Sequence, residues 1–422
     1  VLQIHDKLKA YPTVGIRDLI WTRYINQMYE RSGDGYIREL LLGHSHTLEE
    51  TDIEREYLIC ITWMLSSSHP KFRGIIIREI KKRLEIYQSL ILWLIGLFED
   101  VNDPYVLGGL YCAVGGVVLP SRNQELVSTI ASFIYHCYYE KDDTVPQDLI
   151  VRQWTLKIIE RAYYLDKTCD YWKRIKTPFR TQPIDNKVIA EYADVQQDCF
   201  GLEQGSVMMY NSLFGFEDFN RYIIGTNNRH FSNDYFLLKE DGQYQGVDLH
   251  DIMKIMAYYI IHVFGWSDKL GYLDKGRYSP SRFHNDQERI GKKFQWLAWY
   301  RVNAYLMDNC YTSRNRYYYE NTAHEKDIVS EPYPWNSAAV SYFDPTIDET
   351  KRCKLEVGLR GIEIQSIKGK EDKDWINNDE YLPYFRYVAN SQDGHEYVML
   401  VGYDTSNKEV GKETFLFSNA CF

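Results

Sequence analysis

From about Ile16 to Leu165 the apolar residues recur every three or four positions, in blocks divided by short polar or proline-containing breaks. That period lays one apolar stripe along each of several successive helices joined by tight turns. The breaks share a form: Ser66-Ser-Ser-His-Pro-Lys-Phe-Arg73, Asp100-Val-Asn-Asp-Pro-Tyr-Val106 and Asp143-Thr-Val-Pro-Gln-Asp-Leu-Ile-Val-Arg152 each close one helix and open the next. Proline has a fixed φ and no N–H, so it suits a first helical position, and a preceding Asp or Ser can cap the free amides. The prolines of these breaks, Pro70, Pro104 and Pro146, are spaced at about the length of one helical repeat. A lone helix pair leaves an apolar face uncovered and must stack on neighbours. The expected fold is therefore mainly α, with a HEAT-like helical solenoid over residues 1–165; a non-repeating helical bundle is the alternative.

Downstream the pattern changes. Residues 166–246 are rich in Pro, Asn, Asp and aromatics and are expected to form a structured connecting region, with Asp218-Phe-Asn-Arg-Tyr-Ile-Ile224 as a short ordered segment. Residues 247–350 are expected to be helical with long Tyr-rich loops, one helix running from Val247 to Phe264 and another from roughly Asn285 to Met307. Beyond Cys353, Lys354-Leu-Glu-Val-Gly-Leu-Arg-Gly-Ile-Glu-Ile, Tyr384-Phe-Arg-Tyr-Val-Ala, Glu396-Tyr-Val-Met-Leu-Val-Gly-Tyr and Glu413-Thr-Phe-Leu-Phe alternate as strands do. Residues 351–422 are thus expected to be a small α+β unit. Val1 in place of Met and the apolar run Phe415 to Phe422 lead to the expectation that the chain is part of a longer polypeptide.

With 422 residues the chain exceeds one ordinary core, and 45% hydrophobic with 26% charged residues describes a globular protein. A formal charge of -10 argues against a surface that gathers phosphates by net charge, so nucleic acid is not the expected partner. The eight cysteines are widely spaced and lack a C-x-x-C pair, which reads as reduced thiols in a cytoplasmic protein. The longest apolar stretches, Ser89 to Phe98 and Val106 to Leu119, are too short to span a membrane.

The search for chemistry finds little. There is no G-x-x-x-x-G-K-[ST], no G-x-G-x-x-G after a strand and no G-x-S-x-G frame. Gly108-Gly109 and Gly115-Gly116 fall inside an apolar helix, where close packing explains them better than a ligand. His44, His46, His262, His324 and His395 lack partners at metal-ligand spacing. The sharpest local feature is His284-Asn-Asp-Gln-Glu-Arg-Ile-Gly-Lys-Lys-Phe-Gln-Trp-Leu-Ala-Trp299. Arg289, Lys292 and Lys293 stand at i, i+3 and i+4, one helix face able to grip an anion or a partner. The competing reading is a paired or buried polar network that anchors the preceding loop, with Glu288 neutralising Lys292. Arg316, Tyr317 and Tyr318, in a chain with 36 Tyr and 10 Trp, form a second candidate contact surface; use in a core is the alternative. No residue is nominated as catalytic, cofactor-binding or metal-ligating.

Several stretches, Trp63 to Arg73, Asn102-Asp-Pro-Tyr-Val106, Asp148-Leu-Ile-Val-Arg152, Glu288-Arg-Ile-Gly-Lys-Lys-Phe-Gln-Trp296 and Tyr342-Phe-Asp-Pro-Thr346, together resemble the region C-terminal to the NTPase in the very large bacterial ATP-binding proteins of the NACHT or STAND class. Some of those proteins serve in anti-phage defence. Gly108-Gly109 departs from the pattern, standing where charged residues usually follow Asp-Pro-Tyr-Val. The resemblance implies helical repeats used for sensing or self-inhibition, a protein trigger or attached NTPase or effector domains as partners, oligomerisation on activation, and ATP with Mg bound only in an upstream domain. Together these readings make the chain a non-catalytic sensor or scaffold region. A hydrolase or nuclease whose site is assembled from distant residues, and a constitutive assembly scaffold, are the rivals.

Overall fold

The computed structural model describes residues 1–32, 52–141, 144–176, 179, 197–215, 219–224, 235–238, 244–246, 249–275, 289–313, 328–329, 384–390 and 396–402. These are mainly helical, and the chain divides into two compact units, Val1–Thr346 and Ile347–Phe422.

The first unit begins with α1 (Leu2–Lys9) and α2 (Val14–Arg17), the latter capped by Thr13, whose hydroxyl oxygen accepts from the Ile16 amide at 3.3 Å. A π-helical turn, Asp18–Thr22, carries the chain on into α3 (Arg23–Ser32). Among the described residues six further helices follow: α4 (Asp52–Met64), α5 (Pro70–Ile86), α6 (Leu90–Phe98), α7 (Pro104–Val118), α8 (Gln124–Tyr138) and α9 (Leu149–Leu165). A single turn, α10 (Tyr171–Arg174), closes the series.

Two of the three breaks place proline at the helix start as expected, Pro70 in α5 and Pro104 in α7. Asp103 caps α7 by accepting from the Tyr105 amide at 3.0 Å. At the third break the helix starts later than the proline: Pro146 stays outside, and Asp148 caps α9 through the Ile150 and Val151 amides at 2.9 and 3.0 Å. A capping carboxylate satisfies two orphan amides and so outweighs proline's preset φ in fixing the start.

Neighbouring helices pack in two rows. α5 lies against α7 and α7 against α9; α4 lies against α6 and α6 against α8; α4 also packs on α5 and α8 on α9. Their shared core includes Trp63, Ile80, Leu94, Phe98, Val114, Ile130 and Ile158. α7 is buried all round from Tyr105 to Val118, and its glycines admit the neighbours: a Cβ on Gly108 would come within 3.1 Å of Ile150, and one on Gly115 within 2.8 Å of the Trp154 ring.

A second core involves α11 (Gln204–Phe214), a π turn at Phe219–Ile224, α12 (Leu249–Tyr258) with its π continuation Tyr259–Val263, α13 (Asp268–Asp274) and α14 (Ile290–Asn309). Helix α14 touches α7, α9, α11, α12 and α13. The second core recruits Val14, Tyr105 and Leu149 from the first series, so its members are not one continuous stretch of sequence. The expected helices Val247 to Phe264 and Asn285 to Met307 correspond to α12 with its π turn and to α14; residues 166–246, expected to be connection, contain α11. Short strands β1 (Tyr235–Leu238), β2 (Tyr244–Gly246), β3 (Cys310–Ser313) and β4 (Ile328–Val329) pair antiparallel in the order β2-β1-β3-β4.

In the second unit, β5 (Tyr384–Asn390) and β6 (Glu396–Gly402) pair antiparallel from Tyr384 opposite Gly402 to Asn390 opposite Glu396. These are two of the four alternating segments noted in the sequence; those at Lys354 and Glu413 lie outside the described residues.

Candidate functional site

The three cations nominated on one helix face have different surroundings. Helix α14 starts at Ile290, and Arg289 immediately precedes it, its carbonyl accepting from the Lys292 amide at 3.1 Å. Arg289 and Lys292 are half-buried, whereas Lys293 is buried in the interior. Lys293 therefore cannot serve as a solvent-facing contact, and the nomination is corrected for that residue. Arg316, Tyr317 and Tyr318 lie outside the described residues.

Among the described residues, Lys293 is the centre of a buried polar group of four charges. Its Nζ lies 3.0 Å from Asp18 Oδ1 and 3.2 Å from Asp103 Oδ2. Arg17 Nη1 reaches the same Asp103 oxygen at 3.4 Å, its Nε donates to the Leu8 carbonyl at 2.8 Å, and its Nη2 donates to Asn102 Oδ1. All four charged side chains are fully buried, and two cations balance two carboxylates. Each is placed by local structure: Arg17 and Asp18 by the junction of α2 with the π turn, Asp103 by its capping of α7, and Lys293 by the first turn of α14. Asp274, at the end of α13, holds that first turn by accepting from the Ile290 and Gly291 amides at 2.9 and 2.7 Å.

The two carboxylates are not equivalent. Burial pushes Asp18 up to about 6 against the opposing pull of Lys293, and one of its oxygens, Oδ2, has no hydrogen-bond partner. Burial acts on Asp103 too, but Lys293, Arg17 and the Tyr105 amide outweigh it and hold that carboxyl below its ordinary value.

A polar ladder extends from this centre along one side of the α3 region, at Asp18, Thr22, Asn26 and Glu30, four residues apart and so on one helical face. Opposite it stands the buried break Ser66-Ser67-Ser68-His69. The Thr22 hydroxyl donates to Asp18 Oδ1 at 2.6 Å and lies 2.9 Å from Ser66 Oγ. Asn26 donates to Ser68 Oγ at 3.0 Å and accepts from Ser67 Oγ at 2.6 Å, and His69 Nε2 lies 3.4 Å from Glu30.

A second buried ion pair secures the other end of α14. Arg152, on α9, meets Asp308 with both nitrogens, Nη1 to Oδ1 at 2.9 Å and Nη2 to Oδ2 at 2.7 Å, and its Nη1 also donates to the Ala304 carbonyl at 3.2 Å. Two parallel bonds fix orientation as well as distance.

These groups hold helices together, each charge being opposed by another in the interior. An open groove of about 670 Å³ lies elsewhere among the described residues, between α8 and α10, lined by residues that include Ser128, Ser132, Thr168, Tyr171 and Arg174. Among the described residues no cluster of His, Cys, Asp or Glu has metal-ligand geometry, and no helix is long and apolar enough to cross a membrane. No family model matches the chain, and comparison with curated proteins and with solved structures likewise gives no match.

Proposed function

We propose that this chain is a non-catalytic scaffold or sensor region that binds a protein partner, and that α14 is a docked element on its helical array. One observation carries the reading: Asp18, Asp103 and Lys293, the charged groups that meet at one buried centre, are committed to one another. The alternating contacts of α5, α7 and α9 in one row and α4, α6 and α8 in the other support a HEAT-like solenoid as the finer architecture. The sequence resemblance to the NACHT or STAND class supports a place in a larger NTPase of antiviral defence, with ATP and Mg handled by another domain, and the widely spaced cysteines support a cytoplasmic location.

The test replaces Asp18 and Asp103 singly by Asn and follows thermal unfolding alongside divalent-metal-dependent hydrolysis of nucleic acids and phosphoesters. The scaffold reading expects a lower melting temperature for Asp103→Asn, which strips Arg17 of its counter-charge and leaves Lys293 with Asp18 alone, and no turnover dependent on either residue. Hydrolysis by the parent chain that disappears in either variant while melting stays intact would overturn it.

A further inference from the structure

Residues 157–176 run against the charge of the whole chain. They hold Lys157, Arg161, Lys167, Lys173, Arg174 and Lys176 against Glu160, Asp166 and Asp170, in a chain whose formal charge is -10. The fold gathers these cations around tyrosines instead of scattering them. Lys167 and Lys173 sit 4.0 and 5.0 Å from the Tyr163 ring, and Arg161 and Lys167 lie 5.4 and 5.7 Å from that of Tyr164. Arg174 lies 5.4 Å from Tyr171, and both line the groove beside α8. Lys167, Lys173, Arg174 and Lys176 are exposed.

We infer that this cationic rim and the adjoining groove are the docking surface for an extended acidic segment of a protein partner. The inference deepens the scaffold reading and rests on it, since it names the chemistry of the partner. Exposed cations are each weak in water, but several held together raise the local potential and speed the approach of an opposite charge. Of the groove hydroxyls, those of Thr129 and Thr168 donate to the Glu125 carbonyl and to Asp166 and keep lone pairs that can accept from the amides of an extended chain. Two of the three carboxylates are engaged locally: Asp170 pairs with Arg174 at 2.7 Å, and Asp166 accepts from the Thr168 amide and hydroxyl at 2.9 and 2.7 Å.

A single-stranded nucleic acid fits less well. Base stacking needs open ring faces, and Tyr163, Tyr164 and Tyr171 already carry cations over theirs.

Fluorescence anisotropy with the full chain tests this, using a labelled oligoglutamate peptide and, separately, a labelled oligothymidine. The peptide should bind, weaken as salt rises, and bind at least about tenfold more weakly to a chain carrying Lys167→Glu and Lys173→Glu. Lys167→Gln with Lys173→Gln should lose less, and the corresponding Arg substitutions should retain binding, all with unchanged melting. Absence of peptide binding to the parent chain, equal affinity in the charge-reversed chain, or tighter binding of oligothymidine would overturn the inference. None of these results bears on the turnover and melting of the Asp18 and Asp103 variants, so the scaffold reading stands or falls separately.

Discussion

Asp148 serves two opposed physical demands. Its Oδ1 accepts the first free amides of α9, which favours a carboxylate, yet the group is buried, and burial pushes it up to about 7 against the pull of those amides, Arg152 and Arg301. A carboxyl raised in this way binds its proton more tightly folded than unfolded. Its contribution to stability is then complete below the unfolded value of 3.8 and is lost as pH rises through about 7. Asparagine keeps the accepting oxygen and carries no charge. Asp148→Asn should therefore be about 1–3 kcal/mol more stable than the parent at pH 8, with the difference shrinking toward zero near pH 4. Urea unfolding at the two pH values reads this directly, and an equal effect at both would show that Asp148 matters as a cap and not as a buried charge. Asp148 was not picked out in the sequence, where the expected cap was the Asp or Ser before the proline, although a cap is a local feature. Lys293 was legible only as a cation: its partners Asp18 and Asp103 lie 275 and 190 positions away, and no local spacing encodes such a meeting.

At the scale of the helix, a glycine has opposite meanings in α6 and α7. Alanine favours a helix interior over glycine by about 1 kcal/mol. A Cβ at Gly96 meets Phe133 at 3.5 Å, an ordinary contact, so Gly96→Ala should be neutral or stabilising by up to that amount. At Gly115 the added carbon falls 2.8 Å from the Trp154 ring, and pushing α7 and α9 apart should cost about 1–3 kcal/mol, exceeding the gain in propensity. Thermal unfolding of the two variants should move in different directions, and Trp154→Leu should recover part of the Gly115→Ala loss; matching shifts would remove the close-packing account. The same contrast explains which elements could be read in advance. Helices α5 and α7 announce themselves through Pro70 and Pro104. Helix α11 does not, because its buried face uses Gly205, Ser206 and Ser212 beside Met208, Met209 and Leu213. A Cβ on Gly205 would run into the Gly271 carbonyl oxygen, so α13 is admitted by small residues that hydrophobic periodicity passes over.

For the first unit as a whole, the decisive element is α14, whose 20 residues span about 30 Å and carry a buried ion pair near each end, Lys293 at the start and Asp308 at the finish. Between them the helix contributes Phe294, Leu297, Trp299 and Val302 to the second core. Removing Lys293 leaves Asp18 and Asp103 facing each other with Arg17 as the one remaining cation, and Lys293→Met should cost about 3–5 kcal/mol. Adding Asp18→Asn removes a negative charge as well and restores the balance of Arg17 with Asp103, so the double variant should be more stable than Lys293→Met alone. Because the lost contacts join α14 to the array and do not join α5, α7 and α9 to one another, the opening should be local. In Lys293→Met, amide hydrogen exchange should quicken in α11 to α14 while amides of α5 and α7 keep their protection, and the added Asp18→Asn should slow it again. Exchange that quickens equally in every helix would mean that the two cores open as one cooperative body, and the ion pairs would then be internal supports of a single core instead of the fastening of a docked helix.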